Sequence, residues 1–342
     1  MTRLIVDMSP ILYSNFIGAS NYIKKDPMYK GIYELKDNKI PLFYKDIVLY
    51  NIFSEISILK SKFGADEVIY AFDNSSGSYW RKDFYDRYKY GRKEGREESD
   101  LSWDEAFGLF NEIQEVLDKY ASGKVISIPR LEADDISFVL CEYFNNDEDI
   151  TVLYSIDKDW IHNLVYLNVR FFRSRKTQGL EPIEEIYSKE QLKEKVLSHC
   201  INGDPGDGFL HIKSWSQFSD EFLEMYPNLK GKELKFYDKH HEIEKKFYKK
   251  TGKNAYKHPR FGYKMMVKSK KSLKDVLNEN PIYKKNFFRN KKLCLPSGIP
   301  ETYKKQIIEA YNNANSKPDY RKLQEYIMKY NLFDLISVIS MI

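Results

Sequence analysis

IPRLEADDI, residues 128–136, sets three carboxylates within four positions, between two apolar segments. The segment 124–128 before it predicts a strand, and the segment 136–144 after it predicts a helix. Glu132 and Asp135, three positions apart, would share one side of that helix. Like charges this close raise each other's pKa unless cations lie between them. The stretch therefore predicts one of two features: acidic side chains that complement a helix N-terminus, or a site for divalent metal ions.

Strands and helices alternate around this stretch. Apolar runs predict further strands at 4–6, 68–72 and 150–154, with a fifth at 165–172. Helices are predicted at 47–63, which stops at Gly64, and at 102–120, which opens with a capping box of Ser102 and Glu105. This alternation predicts an α/β fold with a mostly parallel central sheet and helices on both faces.

Each of the first four strands runs into acidic residues at or just past its carboxyl end. These residues are Asp7, Asp73, the group Glu132, Asp134 and Asp135, and the pair Asp157 and Asp159. The carboxyl ends of parallel strands lie along one edge of a sheet, so the carboxylates should converge there. One such Asp is typical of a turn, whereas four in register favour a ligand site. Oxygen ligands without His or Cys favour Mg²⁺ or Mn²⁺. Two such ions about 3.5–4 Å apart promote phosphodiester hydrolysis.

A basic and aromatic segment, 79–96, comes soon after Asp73. It holds seven Lys and Arg against three Asp and Glu. Helical spacing would place on one face Arg81, Tyr85, Tyr88 and Arg92, with Lys89 and Lys93 beside them. Cations interleaved with aromatic rings suit a single-stranded nucleic acid. The alternative is an exposed helix with solvated ion pairs.

The second half of the chain predicts a helical domain at 202–342, after a first domain at 1–201. It opens with GDPGDG, residues 203–208, which is either a tight turn, a source of ligands from Asp204 and Asp207, or a phosphate grip made of backbone N–H groups. Residues 214–275 mix Lys with Tyr and Phe, which indicates a solvated helical face or non-specific contact with a nucleic acid backbone. Terminal helices are predicted at 301–312, 320–330 and 332–339.

Composition bounds the class of protein. Hydrophobic residues make up 42% and charged residues 31%, as in ordinary globular proteins, and the net charge of +5 supports no global electrostatic inference. The odd number of cysteines, without metal-ligand spacing, favours a reducing compartment such as the cytoplasm. No signal peptide and no membrane span are predicted. No Ser/His/Asp or Cys/His arrangement offers an alternative catalytic site to the carboxylates that follow the first four strands, which we call the acidic edge.

Taken together, the motifs resemble the structure-specific 5′ nucleases of the flap endonuclease superfamily, above all the RNase H-type 5′-3′ exonucleases of T-even-type bacteriophages. The blocks that carry the resemblance are LIVD at 4–7, FDN at 72–74, SYWRKDF at 78–84, GREES at 95–99, EADD at 132–135, Ser155 with Asp157 and Asp159, and Gly203-Asp204 with Asp207. The similarity covers 3–213 and returns more loosely from 259 onward. Residues 214–258 have no counterpart, and their role is open.

The resemblance implies a metal-dependent 5′ nuclease core with a helical arch at about 75–100. The first of two Mg²⁺ or Mn²⁺ ions would be held by residues matching Asp7, Asp73, Glu132, Asp134 and Asp157. The second would be surrounded by Asp135, Asp159, Asp204 and Asp207. Catalysis would depend on Asp134, Asp157, Arg81 and Lys89, the last two approaching the scissile phosphate. Nucleic acid would further contact Tyr79, Lys82, Tyr85, Tyr88, Arg92, Lys93, Gly203, Gly206 and Gly208, with Tyr88 stacking on a base.

The implied activity is hydrolysis of RNA or DNA from a 5′ end in an RNA–DNA hybrid, duplex or flap, leaving 5′-phosphates. The implied role is removal of lagging-strand RNA primers by a monomer in the cytoplasm of a phage-infected cell. A contact of the C-terminal helices with the single-stranded-DNA-binding protein is expected. A sliding-clamp contact is not expected, because the chain has only six residues before Asp7, where the relatives carry a longer tail.

Two other functions compete with this one. A PIN-type endoribonuclease would share the architecture, but the long arch and the Asp204/Asp207 turn speak against it. A catalytically silent junction-binding protein would be expected to lack ligands, and none of the matched carboxylates is missing.

Overall fold

A computed structural model of the chain describes two compact units. It describes residues 1–27, 44–90, 92, 96, 101–145, 148–175, 180–214, 218–229, 241–256 and 260–342. The first unit comprises Met1–Trp80, Arg92–Ser188 and Ile299–Ile342, and the second comprises Arg81–Gly91 and Lys189–Gly298. The predicted contact of Lys93, most of the motif at 95–99 and parts of the segment 214–258 lie outside the described residues.

A six-stranded sheet organises the first unit. Its strands are β1 (Thr2–Asp7), β2 (Glu67–Phe72), β3 (Lys124–Ser127), β4 (Ile150–Ser155), β5 (Val169–Arg175) and β6 (Leu180–Glu184). They run in the order β3-β2-β1-β4-β5-β6, and all neighbours are parallel except β5 and β6. The predicted α/β fold with a mostly parallel sheet is confirmed. The fifth strand begins four residues later than predicted, because Lys158–Val165 forms a 3₁₀ helix, and β6 was not predicted.

Both faces of the sheet are covered, as the continuous apolar runs indicate. On β1, Leu4 and Val6 pack on one side and Ile5 on the other. This alternation follows from the period of two in a strand. The first face carries helices α1 (Met8–Lys25), α2 (Tyr44–Phe63) and α4 (Trp103–Tyr120). The second carries α5 (Ala133–Tyr143). Because both faces are buried, side chains that bind a ligand must come from the ends of the strands.

The C-terminal helices pack with the first unit. The helices are α12 (Glu301–Asn313), α13 (Tyr320–Lys329) and a 3₁₀ helix, Phe333–Met341. Leu323, Ile327 and Leu335 join the core on one face of the sheet, and Ile307 joins the core on the other. The helix positions follow the predicted ones. The compact units, however, divide the chain differently from the predicted domains, which grouped all of 202–342 together.

The second unit is helical. Its helices are α3 (Arg81–Phe84), α6 (Lys189–Asn202), α7 (Asp220–Met225), α8 (His241–Thr251), α9 (Tyr263–Lys268), α10 (Leu273–Glu279) and α11 (Pro281–Cys294). One core joins α6, α9, α10 and α11 through Ile201, Met266 and Val276. A second, aromatic core lies within the segment 214–258, for which no counterpart in the resembled family was expected.

Two local predictions, the helix end at Gly64 and the capping box at Ser102, have opposite outcomes. Gly64 ends α2 with a positive φ of 55°, as predicted. Ser102 precedes α4, but its side chain makes no capping hydrogen bond, so the predicted capping box is wrong. Among the described helices, none is long and apolar enough to cross a membrane.

Candidate metal centre

Asp7 lies at the carboxyl end of β1 and is 5% exposed. Burial raises the pKa of its carboxyl well above the ordinary value, and the charges of Asp73, Asp157 and Asp134 raise it further. A hydrogen bond from Ser155 Oγ to Asp7 Oδ2, 2.6 Å, opposes the shift. These carboxylates therefore converge on Asp7 from β2, β4 and the start of α5, as the strand order predicts.

The start of α5 is held by carboxylates from two segments. Asp73 Oδ1 accepts a hydrogen bond from the N–H of Ala133, the first residue of the helix, at 2.8 Å. Asp135 Oδ2 accepts one from the N–H of Glu132, at 3.1 Å. The N-terminal N–H groups of a helix have no partner within the helix, so these bonds stabilise its start. Asp135 therefore complements the N-terminus of the helix, which is one of the two features that the stretch 128–136 predicted.

The same carboxylates also form a candidate metal site. Glu132, Asp134 and Asp135 each offer a ligand oxygen, and these atoms lie within 4.8 Å of one another. Asp135 is fully buried, and the indole N–H of Trp80 donates to its Oδ2 at 3.1 Å. Asp135 is therefore oriented by Trp80 while it faces the other two acids. The two interpretations of the stretch 128–136 are compatible.

A chain of hydrogen bonds continues from Asp7 to the residues after β4. Ser155 Oγ accepts from the N–H of Asp157 at 2.9 Å, and Asp157 Oδ1 accepts from the N–H of Asp159 at 2.9 Å. Asp157 is exposed and Asp159 is half-buried. Ser155 thus links the buried and the exposed carboxylates of the edge. As a ligand-orienting residue it was missed by sequence reasoning, although the spacing of Ser155, Asp157 and Asp159 marked the segment.

Two tyrosines lie beside these carboxylates. Burial raises the pKa of Tyr13 and of Tyr79, and the negative charge of Asp73 adds to both shifts. The charges of Arg96 and Arg92 lower the pKa of Tyr13, and the charge of Arg92 lowers that of Tyr79. The predicted contact of Tyr79 with nucleic acid stays a prediction. Tyr13, in α1 and six residues after Asp7, was not among the predicted site residues.

The donor set fits hard divalent cations. Mg²⁺ and Mn²⁺ take carboxylate oxygens, and Mg²⁺ keeps part of its water shell, which suits an edge with both buried and exposed acids. The raised pKa of Asp7 has the mutual repulsion of carboxylates as one of its causes, and bound cations would relieve that repulsion. The edge therefore has the ligands and the electrostatic reason to bind divalent ions.

The basic segment of the second unit differs from the prediction. Arg81–Phe84 forms a single helical turn, but the backbone at 85–90 is not helical, and Lys89 has a positive φ of 53°. Arg81, Tyr85, Tyr88 and Arg92 therefore do not share one helical face, and that prediction is wrong. Arg81, Tyr85 and Tyr88 are almost fully buried. Their contacts with nucleic acid, and that of Lys82, stay predictions.

Contacts within the second unit explain this burial. Arg81 Nε donates to the carbonyl of Leu293 at 2.9 Å, and the Tyr85 hydroxyl donates to the carbonyl of Gly208 at 3.1 Å. The Tyr88 hydroxyl donates to Asp207 Oδ2 at 3.1 Å, and Lys89 Nζ lies 4.0 Å from Asp207 Oδ1. The segment is fixed to the turn at 203–208, a pairing that no local sequence pattern could reveal.

The turn at 203–208 is tight, as predicted. The N–H of Gly206 donates to Asp204 Oδ1 at 2.8 Å, and the N–H of Gly208 donates to the carbonyl of Pro205. The N–H of Gly203 donates to the carbonyl of His199. A phosphate bound through these groups would have to replace existing bonds. The predicted metal ligation by Asp204 and Asp207, like the phosphate grip, stays a prediction.

A family of nucleases matches the part of the chain that carries this acidic edge. Residues 4–197, more than half of the chain, match the family model of the 5′-3′ exonuclease N-terminal resolvase-like domain. The chain belongs to this family, and the resemblance inferred from its motifs is confirmed.

Individual relatives are more distant. The chain is 26% identical over 165 residues to the ribonuclease H of Enterobacteria phage T4, a match that covers 48% of this chain and 52% of that protein. It thus spans about half the length of that relative.

Two solved structures align with nearly the whole chain, although their sequence identity to it is low. One is the 5′-exonuclease of bacteriophage T5 with bound zinc: 18% identity, TM-score 0.49, with 99% of this chain and 100% of that chain covered. The other is the bacteriophage T5 flap endonuclease in a complex with DNA and metal ions: 16% identity, TM-score 0.47, with 99% of each chain covered.

Proposed function

We propose that this chain is a divalent-metal-dependent nuclease that hydrolyses phosphodiesters at the 5′ ends of RNA or DNA in duplex or flap substrates. The observation that carries the proposal is the burial of Asp7 among Asp73, Asp134 and Asp157 at one edge of the sheet. Gathering carboxylates in this way costs stability because like charges repel, and bound cations would remove that cost. Membership in the 5′-3′ exonuclease family supports the reaction class.

The proposed cofactor is a pair of Mg²⁺ or Mn²⁺ ions. Asp7, Asp73, Glu132, Asp134 and Asp157 would hold the first, and the second would lie near Asp135, Asp159, Asp204 and Asp207. Bound ions of this kind polarise the phosphate and lower the pKa of a coordinated water. The chain's own contribution is orientation. Ser155 fixes the carboxylate of Asp7, Trp80 fixes that of Asp135, and the start of α5 fixes that of Asp73.

The proposed substrates are RNA–DNA hybrids and DNA with a 5′ end or flap, and the proposed role is primer removal during phage DNA replication. Lys89, which is half-buried, is better placed for a phosphate than Arg81, which is buried against α11. Action as a monomer in the cytoplasm of the infected cell, and contact of the C-terminal helices with the single-stranded-DNA-binding protein, belong to the same proposal.

The experiment is cleavage of an RNA–DNA flap labelled at its 5′ end, incubated in Mg²⁺, in Ca²⁺ and with chelator, followed by product sizing. We expect cleavage at the junction or stepwise from the 5′ end in Mg²⁺, and none with chelator. A matched single-stranded RNA of the same sequence serves as the control for structure specificity.

Three results would contradict the proposal. Cleavage that persists with chelator would show that the reaction needs no metal ion. Cleavage of the single strand as fast as the flap would indicate a PIN-type endoribonuclease instead. Binding of the flap without cleavage in Mg²⁺ or Mn²⁺ would indicate a junction-binding protein.

A further inference from the structure

The segment with no counterpart in the resembled family builds a small core of its own in the second unit. Its rings pack closely: Phe218 stacks on Tyr256 with centroids 5.0 Å apart, and Phe222 meets Phe247 edge-on at 5.1 Å. Phe222 and Phe247 are fully buried. A packed aromatic core of this kind holds its backbone in one arrangement. The described residues 218–229 and 241–256 of this segment therefore form a folded element and more than a solvated lysine-rich face.

This core includes a buried ion pair with the basic segment. Arg87 and Glu244, on α8, form a salt bridge between Arg87 Nη2 and Glu244 Oε2. Arg87 is 7% exposed and Glu244 is 9% exposed. The Tyr256 hydroxyl donates to the other oxygen, Glu244 Oε1, at 2.6 Å. Glu244 is thus positioned by the aromatic core and in turn positions Arg87.

A pair in such surroundings imposes a geometry. Two charges removed from water recover their hydration energy only when they face each other with their hydrogen bonds made. Displacing the backbone at Arg87 would leave a buried charge without compensation. The pair therefore ties the conformation of the basic segment to the presence of α8.

The opposite side of the basic segment rests on the turn at 203–208. The N–H of Lys89 donates to the carbonyl of Asp207 at 2.9 Å. Gly208, with φ +81°, lies so close that an added Cβ would be 2.3 Å from the carbonyl oxygen of Arg87. Residues 85–90 are thus held between the turn and the inserted core, with Tyr88 and Lys89 placed beside Asp207.

We propose that the inserted element, residues 218–229 and 241–256, is a positioning element that fixes residues 85–90 through Arg87 and Glu244, and so keeps Tyr88 and Lys89 ready for nucleic acid. Its effect on binding rests on the proposed nuclease function. Arg87 and Glu244 are positioning residues, since they act through the segment that carries Tyr88 and Lys89.

The structural part of the proposal is tested by hydrogen exchange on Glu244→Gln, which removes the charge and keeps an acceptor for Tyr256. We expect roughly tenfold faster exchange of the amides at 88–90, with the aromatic core still protected. The matched control is Glu221→Gln, which breaks the exposed pair with Lys253 in the same element. The control should exchange like the parent. Unchanged exchange at 88–90 in Glu244→Gln would overturn the proposal.

The functional part is tested by flap cleavage in Mg²⁺ and by flap binding in Ca²⁺. When the binding-competent conformation is only partly populated, apparent affinity falls by that fraction. We therefore expect KM and Kd to rise about tenfold in Glu244→Gln with kcat within about twofold of the parent. Simple loss of folded protein would instead lower kcat at unchanged KM and would overturn the proposal.

A triple variant, Arg87→Met with Glu244→Leu and Tyr256→Phe, separates positioning from direct contact without leaving a buried hydroxyl unpaired. Apolar pairs of similar volume often replace a buried ion pair without loss of stability. We expect both amide protection and KM to return toward the parent values. Restored protection with a high KM would mean that the Arg87 charge itself binds nucleic acid, which would overturn the positioning role. If the parent cleaves no flap, the exchange experiment still decides the structural part alone.

Discussion

The two ends of the central sheet carry carboxylates in opposite surroundings. At the amino end, Asp149 accepts from Arg3 at 2.8 Å and from the N-terminal amine at 3.0 Å, and Glu67 lies 3.2 Å from Lys124. At the carboxyl end, Asp7 is surrounded by Asp73, Asp157 and Asp134. Cations lower the pKa of Asp149, while burial and other carboxylates raise that of Asp7.

This difference separates stability from function on one scaffold. Acids that face cations support the fold, and acids that face other acids cost stability unless a ligand compensates them. The residue types are the same at both ends, so the surroundings decide the role. Four variants test this comparison.

The largest effect is expected for Asp134→Asn. It removes one ligand charge from the carboxyl end, and metal ions contribute several kcal/mol to transition-state stabilisation, so cleavage should fall by about 10³-fold or more. Flap cleavage under single-turnover conditions in Mg²⁺ measures the loss. Asp149→Asn, at the amino end, is the matched control and should cleave like the parent. Parental cleavage by Asp134→Asn would show that the site is assigned wrongly.

A smaller loss is expected for Trp80→Phe, which removes the donor to Asp135 and keeps an aromatic ring. Partners that orient metal ligands typically contribute about 10–100-fold to metal affinity. Calorimetric titration with Mn²⁺ measures that change. Tyr311→Phe deletes the equivalent bond at the amino end, where the tyrosine hydroxyl donates to Glu67 at 2.8 Å. If both variants lost Mn²⁺ affinity equally, the two ends would not differ as described.

The metal-free protein should gain stability in Asp7→Asn. A raised folded-state pKa means that Asp7 supports folding below its ordinary pKa of 3.8, and that this support is lost as pH rises through the raised value. With chelator near neutral pH, we expect a Tm rise of roughly 2–4 °C, the shift that about 1 kcal/mol produces in a domain of this size. The rise should shrink as the pH approaches 4. Thermal unfolding between pH 4.5 and 8 measures it, and a lower Tm at neutral pH would contradict the sign.

The smallest effect is expected for Asp149→Asn, and its sign is opposite. A lowered pKa means that this carboxylate supports folding above its ordinary value and loses that support as pH falls. Exposed ion pairs contribute little, so Tm near neutral pH should fall by about 1 °C. The same unfolding series should show the deficit shrinking toward low pH. A deficit that grows on acidification would break the comparison.

The sequence predicted the acidic edge because the signals for it are local. Strands buried on both faces read as continuous apolar runs, and the acids follow each run directly. The edge strand β6 escaped prediction, because its sequence, LEPIE, includes a proline and has no apolar periodicity, and its pairing with β5 is a tertiary contact.

The contacts that orient the site were harder to predict. Trp80 and Asp135 are 55 residues apart, and Ser155 and Asp7 are 148 apart, so no spacing marks them as partners. The spacing at 81–92 fitted a helix, but the backbone leaves the helix after Phe84 because Tyr85, Arg87 and Tyr88 are buried against residues more than 100 positions away. Tertiary burial overrides a local pattern there.

The packing of Leu323, Ile327 and Leu335 on the sheet has a consequence for biosynthesis. These side chains cover an apolar face to which Leu4 and Val6 also belong, yet the ribosome makes them more than 300 residues later. The first unit therefore cannot bury that face completely until the last helices have been synthesised. Until then its early strands expose apolar surface and need protection from aggregation.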